Sequence, residues 1–184
     1  QFTNPISNQV PQPFKYQSAD TVLTMQVLEA VVPGSAEDFI RNQLLKPMGI
    51  INYGWQEDLS GFPKSAAGSS VLSRDMIKMG LLTLNKGIWN GKQHLPKEFV
   101  KQATSPLVQT SPSTFYGYFW WNQTLDIGDR KYDSIQGRGA GGQFIFIIPT
   151  LELVISATAH NQGMGKMRAQ LPHYLIPAFS MVKK

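Results

Sequence analysis

One stretch, residues 137–158, limits what this chain can fold into. It reads Gly-Arg-Gly-Ala-Gly-Gly-Gln-Phe-Ile-Phe-Ile-Ile-Pro-Thr-Leu-Glu-Leu-Val-Ile-Ser-Ala-Thr, so two β-branched and aromatic runs, 144–148 and 153–158, flank Pro149 and Thr150. That pattern predicts a β-hairpin. Both runs are apolar almost throughout instead of alternating, which predicts a sheet covered on both faces. Ahead of the hairpin, Gly137, Gly139 and Gly142 spell G-x-G-x-x-G. In dinucleotide-binding proteins that spacing follows a strand and opens a helix, whose N-terminus holds the pyrophosphate. Here it opens a strand, and no helical period follows. The glycines are better read as a place where another molecule approaches the backbone closely.

With 184 residues, 42% of them hydrophobic and 16% charged, the chain can bury a core of one-domain size. The net charge of +5 comes from dispersed lysines, such as Lys64, Lys78, Lys86, Lys92, Lys97 and Lys101. No basic run of five exists, so these are solvated faces and no nucleic-acid partner is expected. The absence of cysteine excludes disulfides, thiolate nucleophiles and Cys-ligated metals. His94, His160 and His173 are far apart, so neither a zinc site nor any other metal or cofactor is expected. No apolar run reaches the length of a membrane span. The chain starts at Gln1 without an initiator Met or leader, so its numbered start need not be the natural one.

Residues 1–15 carry Pro5, Pro11 and Pro13 and predict an extended segment. Val22, Leu23, Met25, Val27, Leu28 and Val31 then recur at helical spacing, capped by Ser18 or Asp20 and stopped by Pro33-Gly34, which predicts a buried helix just after Tyr16. Ser35-Ala36-Glu37-Asp38 resembles a capping box before a second helix that Pro47 and Gly49 end. Glycines and serines in 50–70 predict irregular structure. Ser73 is expected to cap a third helix ending at Asn85-Lys86-Gly87, and Asp20 and Asp75 read most simply as helix-terminus residues. Asn90-Gly91 predicts a tight turn, and Pro96 predicts a short helix reaching about Thr104. From Phe115 the pattern changes to aromatic strand, followed by a polar connection over 126–133; with the hairpin this makes three antiparallel strands. Residues 164–180 predict a helix that Pro172 and Pro177 would interrupt or kink. The order is α+β, with a mostly helical region over 1–114 and a sheet plus C-terminal helix over 115–184, both parts of one larger domain.

Several pieces in fixed order carry a family resemblance: Pro13-Phe14-Lys15-Tyr16-Gln17-Ser18-Ala19-Asp20, Leu44-Leu45-Lys46-Pro47-Met48-Gly49, Ser73-Arg74-Asp75-Met76, Asn90-Gly91-Lys92, Tyr116-Gly117-Tyr118-Phe119-Trp120-Trp121 and Gly139-Ala140-Gly141-Gly142-Gln143. Together they resemble the serine β-lactamase-like hydrolases: class C β-lactamases, DD-peptidases, related esterases and, most closely, 6-aminohexanoate-dimer hydrolases. The resemblance implies a helical region beside an antiparallel sheet and hydrolysis of a small amide, ester or lactam through an acyl-enzyme. It also implies a bacterial protein of the periplasm or exterior. A Ser-x-x-Lys supplies nucleophile and base in that family. Tyr16-Gln17-Ser18 matches its Tyr-x-Asn or Tyr-x-Ser acid/base motif, which makes Tyr16 and Ser18 candidate catalytic residues. Residues 137–143 stand in place of its Lys-Thr-Gly strand, which makes the Ala140 amide a candidate oxyanion donor and Gly139, Gly141 and Gln143 candidate substrate contacts. Neither Asn at 18 nor Lys-Thr-Gly is present; a hydroxyl at 18 suits the esterase and amidase branches better than the β-lactamases.

The chemistry asks for these groups independently. A serine hydroxyl attacks only when a base takes its proton, and a phenol can carry that proton if cations favour the phenolate. Glycines beside Ala140 let a substrate reach a backbone N–H, and such an oxyanion donor is worth roughly 3 to 4 kcal/mol. Trp55, Trp120 and Trp121 could line an acyl or amide pocket, and Trp55 and Trp120 are taken as candidate substrate contacts, although large aromatics near a sheet are more often core. The nucleophile is the difficulty: only Ser180 has lysine three places on, as Ser180-Met181-Val182-Lys183, downstream of the strands it should precede. The chain therefore reads as the C-terminal portion of a longer hydrolase, inert alone, with the Ser-x-x-Lys on an upstream segment. The competing reading is a non-catalytic binding or scaffold protein of the same fold.

Overall fold

The structure, a computed structural model, describes residues 14–160 and 164–180. Helix α1, Ala19–Val31, and helix α2, Ala36–Ile40, lead into one π-helical turn, Arg41–Leu45. Strands β1, Tyr53–Trp55, and β2, Ser69–Val71, pair antiparallel, and helix α3, Ser73–Leu84, follows. A second small pair, β3 (Ile88–Trp89) and β4 (Lys92–Gln93), turns through Asn90 and Gly91, both at positive φ as this hairpin turn requires. Helix α4, Lys97–Ala103, precedes the main sheet, whose strands are β5 (Val108–Ser111), β6 (Thr114–Tyr116), β7 (Trp121–Ile127), β8 (Arg130–Gly139), β9 (Gln143–Ile148) and β10 (Leu153–Ala157). Helix α5, Met164–Ser180, closes the described chain. The six strands lie in the order β10-β9-β8-β7-β6-β5, every neighbouring pair antiparallel.

The expected hairpin is β9–β10, with Leu153 opposite Ile148 and Ala157 opposite Phe144. It is covered on both faces. Phe144, Phe146, Ile148 and Ile155 join Ile127, Tyr132 and Ile176 in a core against which Leu171 and Leu175 of α5 pack. On the other face α3 comes close enough that a Cβ at Gly80 would lie 2.5 Å from Val154 Cγ1 and 3.0 Å from Ile145 Cγ2. Burying side chains of this size stabilises by about 1.5 to 3 kcal/mol each, which is why these runs carry no polar alternation.

Several expectations need correction. The sheet has six strands, not three: Val108–Ser111 adds β5, the aromatic run divides into β6 and β7, and the polar segment 126–133 is itself a hairpin that adds β8, with Ile127 paired to Arg130 across Gly128-Asp129. Its polar residues are cross-strand partners, with Lys131 Nζ donating to Asp126 at 2.6 Å and Thr124 Oγ1 to Asp133 at 2.7 Å. The 50–70 segment is irregular except where β1 and the start of β2 pair. Helix α1 is not buried: Met25 is enclosed, whereas Leu23, Val27 and Val31 are 47%, 62% and 71% exposed. Its apolar residues are spread around the axis, and the described chain covers one side. Ser18 makes no side-chain cap, and Ser73 is the first residue of α3, not its cap. Ser73 Oγ instead meets Thr158 Oγ1 at 3.1 Å and its carbonyl accepts from Ser156 Oγ at 3.0 Å, tying the start of α3 to the end of β10. Helix α5 runs through Pro172 and Pro177 without interruption. Each internal proline costs about 3 kcal/mol or more, and the burial of Leu171, Leu175 and Ile176 against the sheet offsets it.

Two local expectations match the structure, and the extended segment expected over 1–15 lies, but for its last two residues, outside the described residues. Ser35 Oγ accepts from the Asp38 amide at 3.1 Å, capping α2. Helix α4 sits between Pro96 and Thr104.

Candidate active site

Tyr16 precedes α1 and is 58% exposed. Its ring stands 5.6 Å from Trp121 and 5.9 Å from Tyr116, centroid to centroid, and Phe14 joins the group at 5.3 Å from Tyr116. Strand register assembles this cluster, since Tyr116 on β6 lies opposite Trp121 on β7, which lies opposite Gln136 on β8. Side chains repeat every second residue along a strand, so Arg138 shares that face, and its Cζ lies 4.6 Å from the Trp121 ring centroid. Ser18 is exposed at the N-terminal boundary of α1, where its carbonyl accepts from Thr21 Oγ1 at 2.8 Å.

Burial, then the neighbouring Tyr16 and Asp20, push the Tyr116 phenol up to about 12. Burial, then the like charge of Arg168, hold Arg138 down to about 10. Arg138 Nε donates to Gln136 Oε1 at 2.9 Å and its Nη2 to Gln123 Oε1 at 2.8 Å. Gln136 is fully buried and passes a bond to Ser134 Oγ at 2.6 Å, so the guanidinium is fixed by a satisfied polar network.

The glycines occupy the end of β8 and its turn into β9, not the entry to β9 alone. Gly139 pairs with Gln143, Ala140 is exposed at the tip, and Gly141 and Gly142 have φ of 77° and 99°. A Cβ on Gly142 would stand 2.9 Å from Ala159 Cβ. Gln143 Nε2 donates to the Ala159 carbonyl at 2.5 Å, which pins the turn to the end of β10. Pairing with β7 stops at Trp121 and Gln136, so the last three residues of β8 present an open backbone edge among the described residues. An open edge behind glycines is where a ligand carbonyl can meet a strand N–H.

Tyr16, Trp121, Arg138 and the glycine turn are thus linked through direct neighbours. Trp55 and Trp120 do not line a common groove. Trp120 is half-buried beside Gly137, its Cζ3 3.7 Å from where a Cβ would be. Trp55 donates through Nε1 to the Lys64 carbonyl at 2.7 Å and borders a groove of about 940 Å³ between α2, β1, β2, α3 and β9. Gln143 lines that groove; Tyr16, Ser18, Trp120 and Ala140 do not. Sequence reasoning passed over Arg138, because only strand register brings it to Trp121, the neighbour of Tyr16. Ser180 closes α5, and Lys183 lies outside the described residues. Among the described residues no group of three His, Asp or Glu side chains could hold a metal, and no helix is long and apolar enough to cross a membrane.

An antiparallel sheet covered by helices on both faces, with a glycine turn at one strand end, defines the fold class of the penicillin-binding and β-lactamase-like proteins. The chain belongs to the β-lactamase family, whose sequence profile matches residues 3–178. A Bacillus anthracis structure described as a 6-aminohexanoate-dimer hydrolase superposes with a TM-score of 0.78 at 21% identity, covering 93% of this chain and 45% of that one. A penicillin-binding protein from Bacillus halodurans gives 0.68 at 16%, covering 89% of this chain and 57% of its own. The octameric penicillin-binding protein homologue from Pyrococcus abyssi gives 0.68 at 16%, with 90% and 43% covered. At these identities the likeness is one of fold, and the chain spans about half the length of each of these structures. No curated protein sequence matches it.

Proposed function

We propose that the chain is the C-terminal portion of a serine hydrolase that cleaves amide, ester or lactam bonds through an acyl-enzyme, its nucleophile Ser-x-x-Lys lying on an upstream segment. Tyr16 moves the proton between nucleophile and leaving group, Ser18 stands beside it as a hydroxyl partner, and the Ala140 amide receives the oxyanion. Gly139, Gly141 and Gln143 shape the approach of substrate. The observation that carries this reading is the meeting of Tyr16 with Trp121 and, through it, with Arg138, two residues from Ala140. An exposed phenol beside an open strand edge can do acid/base and oxyanion work, but these groups do not replace a covalent nucleophile.

In the longer protein, Tyr16→Phe is expected to slow acylation by a p-nitrophenyl ester or fluorescent penicillin by about two orders of magnitude or more while leaving the fold intact. Unchanged acylation would remove Tyr16 from the mechanism. A scaffold that retained the fold without chemistry would instead show no acylation with Tyr16 present.

A further inference from the structure

Lys86, Lys97 and Lys101 are spread along the sequence, yet in the fold they border one groove of about 420 Å³ between the end of α3, α4 and the sheet. Lys97 and Lys101 are one turn apart on α4 and so share a side of that helix. Lys86 follows α3 and takes the left-handed conformation, with φ of 54°, where glycine or asparagine usually ends a helix. Its carbonyl accepts from Gln93 Nε2 at 2.8 Å and its amide donates to the Thr83 carbonyl at 3.0 Å, so the surrounding structure holds it there. Between the lysines the groove is lined by the apolar Leu84, Val100, Ile135 and Ile147, and by no carboxylate. Among the described residues no ion pair includes Lys86 or Lys97. Glu98 meets Lys101 only at 3.7 Å, with the two side chains 73% and 76% exposed, and a pair so exposed binds weakly enough to leave the ammonium available. An apolar lining with a few convergent polar groups, in a volume of this order, is the ordinary make-up of a small-molecule site.

We propose that this groove binds a small amphipathic anion, a carboxylate or phosphate monoester carrying a short apolar chain. The three ammonium groups hold the charged end as point charges, and the chain lies along Leu84, Val100, Ile135 and Ile147. Both parts are needed, because exposed lysines hold a bare anion weakly through water and salt, and an uncharged chain leaves the lysines unused. The site is separate from the candidate active site. Ile135 precedes Gln136 on β8 and so points to the opposite face of the sheet from Gln136 and Arg138. The proposal therefore does not depend on the hydrolase reading.

The test is calorimetric titration of the longer protein, with the 184-residue chain in parallel, using octanoate, octyl phosphate, octanol and acetate. At least one of the two amphipathic anions is expected to bind about tenfold or more tightly than octanol or acetate, and the tighter of the two names the headgroup. Lys97→Gln and Lys86→Asn are each expected to weaken that binding by about three- to tenfold, whereas Lys46→Gln, at a lysine outside the groove, leaves it unchanged. Lys86→Asn also separates ligand contact from a structural role: asparagine tolerates the left-handed conformation, so the urea midpoint should hold while binding falls. Should that midpoint fall, Lys97→Gln and Lys101→Gln, both at exposed positions of α4, decide the matter. Octanol binding as tightly as both anions, or anion binding weakened as much by Lys46→Gln as by Lys97→Gln, overturns the site. Binding seen in the 184-residue chain and lost in the longer protein overturns it too, because the groove would then belong to the upstream segment.

Discussion

Tyr116 shows how a single side chain reports the site's environment. Its phenol is pushed up to about 12 by burial and by Tyr16 and Asp20, so the folded state holds the proton more tightly than the unfolded chain, whose tyrosines titrate near 10. The stability this contributes is fully present below pH 10 and is lost as pH rises from about 10 to 12. Arg138, held down to about 10, works in the opposite direction over that range, so the readout is the difference between the native chain and Tyr116→Phe. In urea melts across pH 9 to 12 the substituted chain is expected to lose less stability; parallel curves would show that Tyr116 titrates normally. Gly80 reports packing in the same way. Gly80→Val places methyls where Val154 already stands, and stability should fall by about 2 kcal/mol or more, measured by urea unfolding. At this scale Tyr16 and the residues 139–143 were legible as motif positions, since both are short and local. Arg138 was not, because its place over Trp121 depends on Trp121 standing opposite Gln136, a register no local pattern announces.

Elements were legible where their signals are local. The capping pattern at Ser35, the Asn90-Gly91 turn and the apolar 144–158 hairpin each state their own geometry. Ser35→Ala should cost about 1 kcal/mol of stability by removing the oxygen that accepts from the Asp38 amide, again by urea unfolding. Helix α1 was misjudged because helical spacing reveals a periodic apolar set without revealing what covers it. Helix α5 was legible, but not that it runs on through its prolines: proline's local penalty is visible in sequence, and the burial of Ile176 that offsets it is not. The 126–133 hairpin was hidden by its polarity, which serves cross-strand pairs on a solvated face.

For the molecule as a whole, the exposed Leu23, Val27 and Val31 of α1, the β10 edge of the sheet and the apolar groove beside Trp55 are surfaces of the kind that fold partners cover. They fit the proposed upstream segment, and the 184-residue chain alone is expected to associate in solution, with added upstream segment reducing that association in light scattering. The central claim is that the attacking serine lies outside these residues. Its most direct test is to label the longer protein with a fluorophosphonate or fluorescent penicillin and locate the adduct by peptide mass spectrometry, with this chain alone treated in parallel. The account predicts one adduct, on an upstream serine followed three residues later by lysine, and none on the 184-residue chain. Stoichiometric labelling of a serine within the chain, Ser180 included, would contradict it.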